Sequence, residues 1–182
     1  MGCVTSLLIL AHVLSPFMRV LGSFMENPAT NLLKQQPYRK RLRVGDVFKL
    51  MYPESRCFLG QIISLEAEAG GFKDCILISI FAQEAEFPYD IQSLSSYEFL
   101  LAPLYMNKLG FSRGYMPVID NKPIIEVSTK YCYFQFSRKR YLDSNGEKID
   151  KPQGLIGDWG LSNYLVMDDL ISEKLGLERC SS

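Results

Sequence analysis

From residue 38 onward the apolar positions fall mostly at the spacing of strands. Val47-Phe48-Lys49-Leu50-Met51-Tyr52 places Phe48, Leu50 and Tyr52 on one side at period two, the spacing of a sheet face. Gly45-Asp46 signals a turn before this strand, and Pro53-Glu54-Ser55-Arg56 a hairpin-like break after it. Cys57-Phe58-Leu59-Gly60-Gln61-Ile62-Ile63 reads as the return strand. Gly60 inside it predicts a bulge, or a bend where a neighbouring backbone comes close. Cys75-Ile76-Leu77-Ile78-Ser79-Ile80-Phe81 is apolar on both sides, as a central strand covered on both faces must be. Phe99–Tyr105 and the aromatic run Tyr131–Phe136 continue the β pattern, with turn signals at Gly70-Gly71, Asp120–Pro123 and Ser144-Asn145-Gly146.

The last element is helical. Ser162 is placed to cap its start, and Leu165, Asp169 and Glu173 recur every four residues. Leu161, Leu165, Val166, Leu170 and Ile171 form the expected docking face, and Gly176 the expected left-handed cap. These elements predict a β-rich α+β domain. Its antiparallel sheet is strongly curved, beginning as small SH3-like barrels begin, and a C-terminal helix follows.

Residues 1–37 read differently, as an apolar leader and linker ahead of a single domain at 38–182. The apolar stretch Leu7–Leu14 ends at Pro16 and Arg19, short of the ~20 residues a spanning helix needs. It lacks the basic opening of a signal peptide. Met1-Gly2-Cys3-Val4-Thr5-Ser6 matches the formal N-myristoylation pattern, but a six-residue pattern arises readily by chance. We favour an over-extended start, with Met18 and Met25 as later initiators. The other ordinary reading is a short helix packed on the domain.

Composition narrows the function classes. The 182 residues are 47% hydrophobic and carry twenty Lys+Arg against twenty Asp+Glu, which excludes a disordered chain and any global field selecting nucleic acid. Five scattered cysteines (Cys3, Cys57, Cys75, Cys132, Cys180) contain no CxxC pair, which suits reduced thiols in a cytosol and offers no zinc cluster. The single histidine, His12, lies in the leader, so a Ser–His–Asp or Cys–His hydrolase has no base in the folded body. Gly70-Gly71, Gly110 and Gly114 lack phosphate-cradling spacings. The expectation is therefore no catalytic residues, no cofactor and no metal.

Asp168-Asp169 are adjacent on the helix and point about 100° apart, so they read as solvated acids, as do Glu84 and Glu86. Two basic runs, Arg39-Lys40-Arg41 with Arg43 and Arg138-Lys139-Arg140, read first as solvated segments. On one face they would suit a nucleic-acid-binding barrel, which is the alternative class; a small hydrolase gathering distant carboxylates is the third. The segment holding Glu84, Glu86, Phe87, Pro88, Tyr89 and Asp90 is a loop or edge, because Pro88 cannot donate to a ladder. Trp159, the only tryptophan, lies between Asp158 and Gly160 just ahead of the helix. It is read first as a core side chain, and otherwise as an interface anchor.

The order Lys40-Arg41-Leu42-Arg43-Val44-Gly45-Asp46-Val47-Phe48-Lys49-Leu50, then Arg56–Ile63, resembles the opening of the immunity protein 26 family. Phe99–Ala102, Gly114-Tyr115 and Val118–Pro123 resemble that family's middle, so the resemblance spans residues 39–177. It implies a cytoplasmic immunity protein of a bacterial polymorphic toxin system. Such a protein binds and neutralises a cognate toxin effector domain without catalysis, small-molecule substrate or membrane partner. If the toxin is a nuclease with a basic site, Glu84, Glu86, Tyr89 and Asp90 are the expected contact loop, with Trp159 a further contact candidate.

Overall fold

The computed structural model describes residues 30–180, apart from 92 and 95–97. The expectations for the leader therefore lie outside the described residues. Among the described residues, ten strands form two sheets, accompanied by two α-helices. In chain order they are β1 (Asp46–Met51), β2 (Cys57–Ala69), β3 (Phe72–Glu84), β4 (Leu104–Met106), α1 (Leu109–Arg113), β5 (Val118–Asn121), β6 (Tyr131–Gln135), β7 (Arg140–Leu142), β8 (Lys148–Ile149), β9 (Leu155–Asp158), β10 (Leu161–Ser162) and α2 (Tyr164–Leu175). The larger sheet has the order β10-β4-β3-β2-β1-β5, and the smaller β8-β7-β6-β9.

The protein is thus a strand-rich α+β protein with a C-terminal helix. Both sheets are open, ending at β10 and β5 and at β8 and β9. Each is also mixed, since β10 runs parallel to β4 and β9 parallel to β6. The all-antiparallel expectation fails there because the chain returns to each sheet after an excursion, and a returning strand need not reverse direction.

The central meander follows from local sequence. Phe48, Leu50 and Tyr52 are all buried on the inner face of β1, as their period requires. Gly70 and Gly71, both at positive φ, make the tight turn that folds β2 onto β3. Gly60 sits opposite Phe48 in the β1–β2 register, and a Cβ there would lie 2.4 Å from the Phe48 ring and 2.6 Å from the Ser79 carbonyl oxygen. The glycine is required by that close approach. Phe48 in turn meets Phe111 of α1 edge-on, with ring centroids 5.3 Å apart.

The Gly45-Asp46 turn is held by a buried polar knot. The Asp46 carboxylate is buried and accepts from the Arg43 amide at 2.9 Å, the Arg43 side chain at 3.3 Å and the Asn121 amide group at 2.8 Å. Gln61 Nε2 donates to the carbonyls of Gly45, Lys122 and Pro123, while its Oε1 accepts from the Ile125 amide. Asp46, Gln61 and Asn121 thereby fasten β1, β2 and the segment after β5 together. The residues that carry the family resemblance are, in this structure, residues that close a turn.

Helix α2 departs from expectation in two ways. Asn163, not Ser162, caps it: Asn163 Oδ1 accepts from the amides of Leu165 and Val166, while Ser162 is drawn into β10. The buried face is Tyr164, Met167, Asp168, Ile171 and Ser172, whereas Leu161 and Val166 are exposed. The face is set by Tyr164 and Met167 of the central core, which rotates the stripe away from Val166.

Asp168 is correspondingly not a solvated acid. It is buried and accepts from the Thr30 hydroxyl at 2.8 Å, the Asn31 amide at 2.7 Å and the Ser172 hydroxyl at 3.3 Å. Leu32 joins the same core, so residues 30–32 pack with the domain. Burial, followed by the nearby Asp168 charge, holds the Tyr52 phenol far above its ordinary range. That hydroxyl lies beside Asp168 without closing a well-formed hydrogen bond.

Candidate functional site: an acidic, aromatic segment at the end of β3

The segment that leaves β3 is shaped by three anchors. Arg56 reaches across from the start of β2 and holds Glu84 Oε1 at 2.6 Å and 2.9 Å through two guanidinium nitrogens. The Ala85 amide continues the ladder to the Cys57 carbonyl at 2.8 Å. After the excursion, Phe99 bridges back to Phe81 and the Leu100 amide donates to Ile80, so the segment starts and finishes on one strand. Leu94, fully buried, pins its middle to Cys57, Leu59 and Phe81.

Between these anchors the chemistry divides by side. Tyr89 packs inward on that cluster, with Lys49 Nζ 5.8 Å from its ring centroid. Burial first, then its contact with the Cys57 thiol, pushes its phenol up to about 12. Burial likewise raises the Cys57 thiol, against the lowering influence of Tyr89 and Lys49. Tyr89 is thus a neutral hydroxyl at physiological pH. Phe87 points outward and is 85% exposed, touching Tyr89 edge-on at 5.7 Å between centroids. The Phe87–Pro88 peptide is cis. Glu86 is exposed, while the Asp90 carboxylate accepts from the Ser93 amide at 3.3 Å.

The structure therefore brings Glu84, Glu86, Tyr89 and Asp90 together on one short segment. It gives them unequal roles. Glu84 is paired with Arg56 and Asp90 caps a turn, leaving Glu86 the exposed acid that enters no ion pair among the described residues. Phe87 was not among the expected contacts, although an aromatic beside proline in a charged stretch was the available signal. A lone exposed ring is ordinary on a protein surface, so Phe87 draws interest through its company, with Tyr89 beneath it and Glu86 beside it.

Trp159 belongs elsewhere. It meets Tyr105 and Tyr133 edge-on at 5.3 and 5.4 Å, in a cluster with Ala69, Cys75 and Leu142. Gly146 lies against its ring, where a Cβ would approach to 2.8 Å. It is a half-buried packing residue between the sheets. Burial also pushes the Tyr105 phenol up to about 12, though Tyr133 hydrogen-bonds to it in the opposing sense.

A second concavity, of about 800 Å³, is open to solvent and lined by Tyr38, Arg39, Lys40, Arg41, Glu66 and Lys108 among others. Arg138-Lys139-Arg140 sits on the smaller sheet, beyond β6. Among the described residues, no group of His, Cys, Asp or Glu is arranged to hold a metal ion, and no helix is long and apolar enough to cross a membrane. No family model, curated protein or solved structure matches this chain.

Proposed function

We propose that the protein is a cytoplasmic immunity protein of the immunity protein 26 kind. It would neutralise a toxin effector domain of a bacterial polymorphic toxin system by occupying it, with no turnover of its own. The observation that carries this reading is Phe87: an 85% exposed ring, braced by Tyr89 and flanked by Glu86 and the Arg56–Glu84 pair. A solvent-facing aromatic anchor with an acidic rim suits a protein surface of opposite charge. The buried knot of Asp46, Gln61 and Asn121 supports the family reading indirectly, since it accounts for Gly-Asp-Val-Phe as a folding motif. The SH3-like opening belongs to the same proposal. Its support is the pair of register shifts in the β1–β5 and β2–β3 ladders near Phe48 and Gly60, which bend the hairpin locally.

The test is co-expression with the C-terminal domain of a toxin encoded beside this gene. The wild-type chain should protect the cells and co-purify with the toxin at near-stoichiometric ratio. Glu86→Lys should slow association and reduce its salt sensitivity if the toxin surface is basic. Full protection by a variant carrying both Phe87→Ala and Glu86→Lys would remove this segment from the interface. Protection against no neighbouring toxin would overturn the immunity reading itself.

A further inference from the structure

The smaller sheet has two unlike faces. Tyr133 and Leu142 pair across β6 and β7 and are buried against Ala69, Cys75 and Tyr105. The alternate residues point the other way. Phe134 pairs with Tyr141 on one side and Asp158 on the other, Tyr141 with Ile149, and Cys132 with Ile156. The chain at Gln153 crosses over Cys132, donating its amide to the sulfur at 3.3 Å. Phe134 and Tyr141 are half-buried, and exposure rises toward the β6–β7 turn at Phe136.

Along that stretch Phe136 meets Phe134 edge-on at 4.9 Å between centroids, and Phe134 meets Tyr141 in a tilted contact at 5.1 Å. Phe136 is 69% exposed and Ile156 54%. The turn after Phe136 carries Arg138, Lys139 and Arg140, none of which enters an ion pair among the described residues. Lys139 takes a left-handed conformation that tightens this turn. Arg140 pairs with Gln135 and donates Nε to its Oε1 at 2.7 Å, so its side chain belongs to the Tyr133 side of the sheet and leaves Arg138 and Lys139 as the cations nearest the rings.

We propose that this face binds single-stranded nucleic acid, with a base stacking on exposed Phe136, braced by Phe134 and Tyr141, and phosphates held by Arg138 and Lys139. An apolar protein partner would satisfy the rings but strand Arg138 and Lys139 at its rim. A single strand supplies flat π faces and a regular anion together, the combination that stacking platforms with basic margins use. Asp158, paired with Phe134, places a carboxylate on this face that can accept from base amino groups. At the end of β8, Asp150 and Lys151 offset each other, so the turn remains positive.

The experiment is fluorescence anisotropy of the full chain with labelled oligo-dT and oligo-U of about 12 nucleotides, and with a duplex of equal length. Single strands should bind better than duplex. Two phosphate contacts should weaken binding about sevenfold between 50 and 200 mM salt. Phe136→Ala should weaken it about fivefold or more while Phe136→Tyr retains it. The double variant Arg138→Glu with Lys139→Glu should weaken it further and flatten the salt dependence. All these positions are exposed, and an unchanged melting transition will establish that folding is intact. No binding at low salt overturns the proposal. So does equal affinity for duplex, or binding that is indifferent to Phe136→Ala and is lost when Arg39, Lys40 and Arg41 are replaced.

Discussion

Asn121 donates its side-chain amide to the buried carboxylate of Asp46 across 2.8 Å, linking the end of β5 to the first residue of β1. Beside them Gln61 satisfies three carbonyls and one amide of the same junction. Gln61→Leu keeps similar bulk but removes the acceptor of the Ile125 amide and the side-chain donor to the Lys122 and Pro123 carbonyls, while Gly45 keeps the Lys122 amide. A buried group left unsatisfied costs about 1–3 kcal/mol. We expect the melting temperature to fall by about 4–8 °C for a loss of about 2 kcal/mol, read by differential scanning calorimetry.

Phe87 and Trp159 should separate binding from folding. Phe87→Ala removes a solvent-facing ring, so its thermal transition should stay put while toxin affinity drops by about 2 kcal/mol or more. Trp159→Ala should lower stability by about 2–4 kcal/mol, because the ring fills space between Tyr105, Tyr133 and Gly146. Urea denaturation beside surface plasmon resonance distinguishes the two. A stable Trp159→Ala protein would show that the cluster closes without it.

At the other end of the domain, Thr30 completes the hydrogen bonding of buried Asp168. Thr30→Val should cost about 1–2 kcal/mol in chemical denaturation, since the carboxylate loses a donor it cannot replace with water. Deleting residues 1–24, upstream of every described contact, should leave the same transition unchanged. A deletion running through Leu32 should not, because it removes both the Asp168 donors and a core side chain.

Alkaline pH should unfold the protein through its tyrosines. Burial raises the phenols of Tyr52 and Tyr133, and pushes those of Tyr89 and Tyr105 up to about 12, above the ordinary value near 10. The folded state therefore retains protons that the unfolded chain releases. Their contribution is complete below about pH 10 and is lost as the pH climbs through about 12. Melting temperature should be flat with respect to these groups at neutral pH and decline above about pH 10. Phenolate absorbance should appear together with unfolding. Full ionisation of all ten tyrosines in a still-folded protein would contradict these environments.

The β meander was legible because a strand with one buried face writes itself as alternation, and Phe48, Leu50 and Tyr52 do so without interruption. Gly60 was legible too, as a residue whose missing side chain makes room for another. The helix was legible in extent but not in rotation. Tyr164 and Asp168 face the core for reasons held by distant partners, Phe111's neighbourhood and Thr30, which local periodicity does not encode. The division into two sheets was hidden for the same reason, since β9 and β10 are short and find their places through pairing with β6 and β4. In the candidate site, the composition of residues 84–90 was readable. That Glu84 is spent on Arg56 while Phe87 stands in solvent required the fold.

The smaller sheet is inserted between β5 and β10, so the chain must finish 131–158 before it can return to the larger one. The central core is then completed by Tyr164, Met167 and Ile171, and the acceptor for Thr30 is contributed by Asp168 of the same helix. A helix late in this sequence is consequently the one that seals strands laid down earlier in it. A nascent chain halted anywhere before α2 exposes Phe48, Phe111 and the underside of β3 to its surroundings, and chaperones and proteases act on such surface. Any copy lacking α2 therefore lacks the side chains that close the core over Phe48 and Phe111.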